Sequence, residues 1–202
     1  MPMNKTVAIV TLPGFNEIDS FVAARMLHSV PEVDIELVGP DSTATSMAGV
    51  TVETPGELGA LGEYDAVIVG SGLRTFEHID NPALMARFEL GDNDQLIGSQ
   101  CSGAAILHRL GLVDGITVCT DLTTTPTLQA LGVSVANEAF RSHGNLATSG
   151  GCLSSSYLAF WMISKLTGVE AAVTALRYVA PIGEADAYVA RAMALTQSVA
   201  AS

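Results

Sequence analysis

Positive charge is scarce in this sequence: nine Lys and Arg face twenty-one Asp and Glu across 202 residues, a formal charge of −12. Such a surface repels nucleic acid phosphates and anionic lipid, and no cluster of basic residues makes a local exception. Long apolar runs are missing as well. The longest covers residues 157–163 (YLAFWMI), far short of the roughly 20 residues that cross a bilayer. We therefore expect no nucleic acid partner and no membrane insertion.

Cysteine is also sparse. Cys101, Cys119 and Cys152 are odd in number, with no CxxC pair and no Cys/His metal spacing, so neither a disulfide framework nor a metal site is expected. The N-terminal MPMNKTVAIV lacks the apolar region and cleavage site of a signal peptide. A cytoplasmic location with reduced thiols follows as an expectation.

What the chain has in abundance is small apolar residues, with 49% hydrophobic residues, 15% charged residues and a mean hydropathy of +0.39. At this length they suffice for a sizeable core. No repeat, linker or low-complexity stretch divides the chain, so residues 1–202 read as a single domain. Residues 5–12 (KTVAIVTL), 65–70 (DAVIVG) and 95–100 (QLIGSQ) read as buried strands, with shorter strands at 34–38, 116–120 and 133–135. Residues 47–54 suggest a hairpin or edge segment, and 140–149 a hairpin across His143-Gly144-Asn145. Helical spacing marks residues 18–28, 83–90 after Asn81-Pro82, 104–110, 125–131, 154–166, 169–178 and 184–196. Strands alternating with helices imply right-handed βαβ units: an α/β fold with a mostly parallel central sheet and helices on both faces.

In such sheets ligands collect beyond the carboxyl ends of the strands. Three loops fall there: residues 13–19, Gly70-Ser71-Gly72 and Cys101-Ser102-Gly103. The pattern Ser99-x-Cys101-x-Gly103 at a strand-to-helix junction has the layout of a nucleophile elbow, which exposes one reactive side chain on a tight turn. Cys101 is the candidate nucleophile, its thiolate expected to be favoured by the helix N-terminus. A cysteine can equally be a small buried residue, and Cys119 and Cys152 are assigned that plainer role. Backbone N–H groups of the Gly70-Ser71-Gly72 loop, with that of Ser102, are candidate donors to developing negative charge, although glycines at a strand end also serve loop geometry. Glu17 and Asp19 supply carboxylates that could reach the elbow, or could simply occupy a helix's first turn. A carboxylate beside a thiolate shares one proton with it, which suits general acid/base work.

The segment CSGAAILHRLGLVDG (101–115), together with HGNLATSGG (143–151) and PGFNEID (13–19), resembles the ThiJ/PfpI superfamily, a branch of the class I glutamine amidotransferase-like fold. The likeness is strongest to the isocyanide hydratase-like branch and to the related ligand domains of AraC-type regulators. It implies a flavodoxin-like three-layer sandwich and a homodimer. It also implies Cys101 as the elbow cysteine, Asp19 as the acid, Gly72 and Ser102 as backbone donors, and no metal or organic cofactor. In the hydratase-like enzymes the thiolate attacks the carbon of a small R–N≡C substrate, the acid protonates it, and water releases an N-formamide from a thioimidate. Two other readings use the same thiol: a glyoxalase-like hydratase acting on α-oxoaldehydes, and a redox or ligand sensor in which Cys101 is oxidised.

The chain departs from the relatives at several points. Ser102 stands where peptidase-like members have His, and His143 is followed by Gly144-Asn145 rather than the x-Glu of amidotransferases. Protease and glutaminase activities are therefore disfavoured. Asp121 replaces a His in a stretch that often reads Thr-Thr-His-Trp, and Gly70-Ser71-Gly72 replaces Pro-Gly-Gly. Ser71, Asp121 and Gly151 are candidate pocket residues. His28 and His78 are expected at the surface, His108 in a structural role, and Tyr157 and Trp161 in the core or a dimer contact.

Overall fold

The computed structural model describes residues 4–92 and 94–197. The chain runs β1 (Lys5–Val10), α1 (Glu17–His28), β2 (Val33–Gly39), the hairpin β3 (Thr43–Thr45) and β4 (Thr51–Glu53), then β5 (Gly56–Glu57). A 3-10 turn (Leu58–Glu63) leads into β6 (Ala66–Val69), α2 (Thr75–Ile79), α3 (Pro82–Met85), β7 (Leu96–Gln100) and α4 (Gly103–Arg109). There follow β8 (Thr117–Val118), α5 (Thr125–Ala130), β9 (Ser134–Val135), β10 (Phe140–His143) and β11 (Leu146–Ser149). A second 3-10 turn (Cys152–Ser154) precedes α6 (Ser155–Leu166), α7 (Val169–Val179) and α8 (Ala185–Gln197).

Seven strands form the central sheet in the order β10-β11-β7-β6-β1-β2-β5. All neighbours pair in parallel except the β10–β11 hairpin. Because successive strand residues face opposite sides, each central strand feeds two cores. Val7 and Ile9 of β1 and Ala66 and Ile68 of β6 face the layer of α1, α6, α7 and α8, which holds Tyr157, Phe160 and Trp161. Ala8, Val10, Val67 and Val69 face the other layer, with Ile106 and Leu107 of α4, Leu128 of α5 and Leu58 of the 3-10 turn. These strand residues are at most 1% exposed. Each large one contributes roughly 1.5–3 kcal/mol by burial, which is why the strands read as unbroken apolar runs.

Helix α3 ends at Met85 rather than near residue 90, and α2 has no counterpart among the helices expected from the sequence. Beyond Met85 the backbone bonds become Arg87 N–H to Leu84 O and Phe88 N–H to Met85 O, single tight turns. Phe88 is nevertheless buried, so the apolar spacing there records burial without helix. β5 is two residues long and paired only through Val38 and Gly39, too short to leave a periodic signal.

The chain leaves β1 for β2 on one side of the sheet and crosses to β6 on the other, so the order reverses between β1 and β6. That reversal opens a crevice beyond the strand ends. The loops after β1, β6 and β7 meet there.

Candidate active site

Strand β7 delivers Cys101 to the crevice with φ +45°, the single positive φ among described non-glycine residues. A left-handed turn at such a residue costs on the order of 1–3 kcal/mol and persists only where its surroundings over-determine it. Here they do. Cys101 N–H donates to Ser149 O (2.8 Å), and Thr120 Oγ1 donates to Cys101 O (2.8 Å). Gly103 follows because the turn presses against β6: a Cβ at this position would sit 2.5 Å from Val69 O.

Asp19 arrives from the first turn of α1, whose N-cap is Asn16, with Oδ1 accepting from Ile18 N–H (3.0 Å). The Asp19 side chain is completely buried, and Ser71 Oγ donates to its Oδ2 (2.6 Å). Gln100 Nε2 donates to Asp19 O (2.8 Å), fixing the helix start against the end of β7. Burial pushes the Asp19 carboxyl up to about 6, while hydrogen bonds from Ser71, the Cys101 thiol and Ser20 pull the other way and lose.

The expected depression of the Cys101 pKa is overturned. Burial, then the neighbouring acidic groups Asp19, Cys152 and Asp121, push the thiol well above its ordinary value, and a hydrogen bond from Gly151 N–H only partly compensates. Helix α4 has seven residues, and the field of its N-terminus does not outweigh a thiol 4% exposed beside a carboxylate. The pair thus holds its last proton on sulfur near neutrality: a thiol donating to the Asp19 carboxylate.

Several other candidates gather at the same place. Ser71, Gly72, Asp121 and Gly151 line, with Cys101, an open cavity of about 1220 Å³. Gly151 does more than line it, because its N–H is the donor to the Cys101 sulfur. Gly72 N–H, proposed as an oxyanion donor, instead donates to Ser102 Oγ (3.2 Å), and Ser102 Oγ also shares a hydrogen with Thr75 Oγ1 (2.8 Å). A Cβ on Gly72 would meet Gly14 O at 2.5 Å, and Gly72 bridges Phe15, so loop packing accounts for this glycine. Asp121 is consumed locally. Burial raises its pKa, but hydrogen bonds from the side chains and N–H groups of Thr123 and Thr124 prevail and hold it below the usual carboxylate range.

The residue that sequence reasoning set aside is Cys152. Its sulfur, the Cys101 sulfur and an Asp19 carboxylate oxygen all lie within 4.8 Å of one another. Asn16 Nδ2 donates to Cys152 Sγ (3.1 Å), so the cap of α1 also ties down this thiol. The three donors could hold a thiophilic ion in an S₂O set with an open position. Cys119, in contrast, is fully buried and away from the cavity.

None of the four histidines lines the cavity. His78, expected at the surface, is 9% exposed with Nε2 bonded to Pro13 O (2.9 Å), and His143 Nε2 is bonded to Thr117 O (3.0 Å). His28 is exposed, and His108 lies partly buried on α4. Tyr157 and Trp161 are core residues.

With the elbow cysteine, its carboxylate partner and the sheet order in place, the sequence profile of the DJ-1/PfpI family matches residues 5–165. The chain belongs to the DJ-1/PfpI family. Solved structures agree on the fold. A ThiJ/PfpI family protein from Pseudomonas syringae superposes with a TM-score of 0.77 at 18% identity, over 97% of this chain and 89% of that one. DJ-1beta of Drosophila melanogaster gives 0.75 at 19% identity, over 88% and 98%. An AraC family transcriptional regulator from Pseudomonas putida gives 0.72 at 18% identity, over 87% and 100%. No curated protein matches the sequence significantly. Among the described residues no helix is long and apolar enough to cross a membrane.

Proposed function

We propose that this DJ-1/PfpI family member is a cofactor-independent hydratase in which Cys101 adds to a small electrophilic carbon, most concretely that of an isocyanide. The observation that carries this reading is the buried Asp19–Cys101 pair, facing a cavity with no histidine. The carboxylate takes the thiol proton as sulfur bonds to the terminal carbon of R–N≡C, then passes that proton to the same carbon, giving the thioimidate R–N=CH–S–Cys101. Water adds to this carbon, the C–S bond breaks, and the proton balance returns hydrogen to sulfur as the N-formamide leaves. Gly151 N–H stabilises negative charge on sulfur at both thiolate stages. An isocyanide is neutral and slender, so a strongly acidic protein surface does not repel it.

A protease or glutaminase requires an imidazole beside the nucleophile, and the histidine positions speak against both. An α-oxoaldehyde hydratase would use the same thiol and carboxylate. The deciding measurement is turnover of a small alkyl isocyanide and of methylglyoxal by the wild type, Cys101→Ala and Asp19→Asn. Formamide production that disappears in Cys101→Ala supports the isocyanide reading. Cys101-dependent lactate production without formamide moves the assignment to the α-oxoaldehyde, and no Cys101-dependent turnover of either sinks both.

The proposal extends to a cytoplasmic homodimer. All three cysteines are unpaired, as a reducing compartment would keep them. Met47, Leu73 and Leu122, at the cavity, are 43%, 70% and 84% exposed, apolar area that a second copy would cover. A monomeric mass in light scattering at micromolar concentration would remove that part of the reading.

A further inference from the structure

We propose that Cys101 and Cys152 form a two-electron redox pair that reduces a hydroperoxide and closes into an intramolecular disulfide. The inference rests on Cys101 being the reactive thiol of the reading above, and is independent of that reading's substrate.

The two sulfurs come from separate elements, the elbow after β7 and the 3-10 turn before α6, yet lie within 4.8 Å of each other and face the same cavity. Both are thiols in this structure. Reaching the ~2.05 Å of a disulfide asks for rotation about the two Cα–Cβ bonds together with movement of the turn that carries Cys152. Each sulfur has its own N–H donor, Gly151 for Cys101 and the Asn16 amide for Cys152, so charge passing over either atom meets a positive dipole. Asn16 also holds the Cys152 sulfur beside the elbow rather than free in solvent. Asp19 supplies the proton relay.

The chemistry balances without a cofactor. The Cys101 sulfur attacks the terminal, hydrogen-bearing oxygen of R–O–O–H, the O–O bond breaks, and the thiol proton travels through Asp19 to the departing alkoxide. The products are Cys101 sulfenic acid and ROH. Cys152 sulfur then displaces hydroxide from the sulfenic sulfur, its proton joins that hydroxide as water, and the disulfide forms. Two electrons leave the thiol pair and reduce one peroxide. Without Cys152 the sulfenic acid would meet a second peroxide and become sulfinic acid, which thiols do not reverse. Cys152 therefore converts an irreversible loss of the nucleophile into a reversible one.

The test is intact and peptide mass spectrometry of the full chain after one and five equivalents of hydrogen peroxide, with and without dithiothreitol. The wild type is expected to lose two hydrogens, to yield a cross-linked peptide pair containing Cys101 and Cys152, and to return to its starting mass on reduction. Cys152→Ser is expected to gain two oxygens at Cys101 that dithiothreitol does not remove, and Cys119→Ser to behave as the wild type. Oxygen addition at Cys101 in the wild type without the cross-link overturns the proposal, as does a cross-link only between chains. The wild-type measurement needs no variant to fold. Iodoacetamide labelling of Cys101 in the reduced protein reports its nucleophilicity separately from isocyanide turnover. A failed hydratase assay with an intact disulfide result therefore distinguishes the two readings.

Discussion

Cys101, 4% exposed, floors the cavity over Asp19 and Gln100, which have no exposure, whereas at its mouth Leu73 and Leu122 are 70% and 84% exposed. The floor is polar, buried and cross-braced. Ser71, Gln100, Thr120 and Gly151 each donate to the Asp19–Cys101 pair or its backbone. The mouth presents exposed apolar side chains, Leu122 on the turn that Asp121 holds through Thr123 and Thr124. Burial raises both floor pKa values and so makes the proton scarce and shared, the condition for acid/base work at neutral pH. The mouth sets what can enter and what can dock. On the proposed reading, chemistry belongs to the first region and specificity to the second, and the two have opposite solvation.

The strongest way to break this division is at its centre. Cys101→Ala should lower isocyanide turnover by about ten-thousandfold while leaving the denaturation midpoint nearly unchanged, because one bond-forming atom is lost from a site the scaffold still holds. Asp19→Asn comes next, with turnover down about a hundredfold to a thousandfold for loss of a proton acceptor. The pH response of the same position is a second readout. Below pH about 6 the wild-type carboxyl is protonated and cannot take the thiol proton, so kcat/KM should rise with pH through about 6, and this limb should vanish in Asp19→Asn. A raised carboxyl pKa means the folded chain binds this proton more tightly than the unfolded one. Its contribution to stability is therefore complete below about pH 4 and lost as pH rises through about 6, a loss of up to about 3 kcal/mol. Urea midpoints at pH 4 and pH 7 should show that fall in the wild type and a smaller one in Asp19→Asn.

The scaffold under the floor gives the next effect. Gly103→Ala places a Cβ 2.5 Å from the Val69 carbonyl and should destabilise by about 3 kcal/mol, read by urea denaturation. Thr120→Val removes the hydroxyl donor to the Cys101 carbonyl at constant volume and should cost about 1 kcal/mol. The mouth supplies the smallest change. Leu122→Ser should alter stability of the single chain by less than about 0.5 kcal/mol, and should show itself only as a weaker dimer in light scattering. A large stability loss there would mean that the mouth is braced like the floor, and would erase the contrast.

Much of this floor is legible along the chain. The strand leading to Cys101 is short, apolar and cut off by Ser102-Gly103, and a sharp end of that kind is a local signal. Asp19 is legible as one of two acids in the right loop. Its selection over Glu17 is not, because the choice depends on which side of α1 turns toward β7, and only Asp19 is completely buried against Ser71. Cys152 could not be assigned from its neighbours: nothing in Gly151-Cys152-Leu153 signals chemistry, and its meaning comes from a sulfur fifty-one positions earlier. The one hint was its place two residues past Gly150, in the segment that follows β11, the strand beside β7. The direction of the Cys101 pKa is hidden from the sequence for a related reason. A helix start is visible in sequence, while desolvation and three neighbouring acidic groups are not.

The sequence by itself determined the layered α/β architecture, the elbow and its thiol, because alternating apolar runs and tight turns are set by interactions a few residues apart. The expectation of no nucleic acid or bilayer partner likewise rests on the sequence alone, since net charge and run length are sums over the chain. Tertiary structure alone decided the protonation of the Asp19–Cys101 pair, the diversion of Gly72 N–H to Ser102, the capture of Asp121 by its own turn and the arrival of Cys152. Each depends on distances of a few ångströms between loops that the reversal of strand order brings together, and short-range electrostatics and hydrogen bonds are settled at that scale.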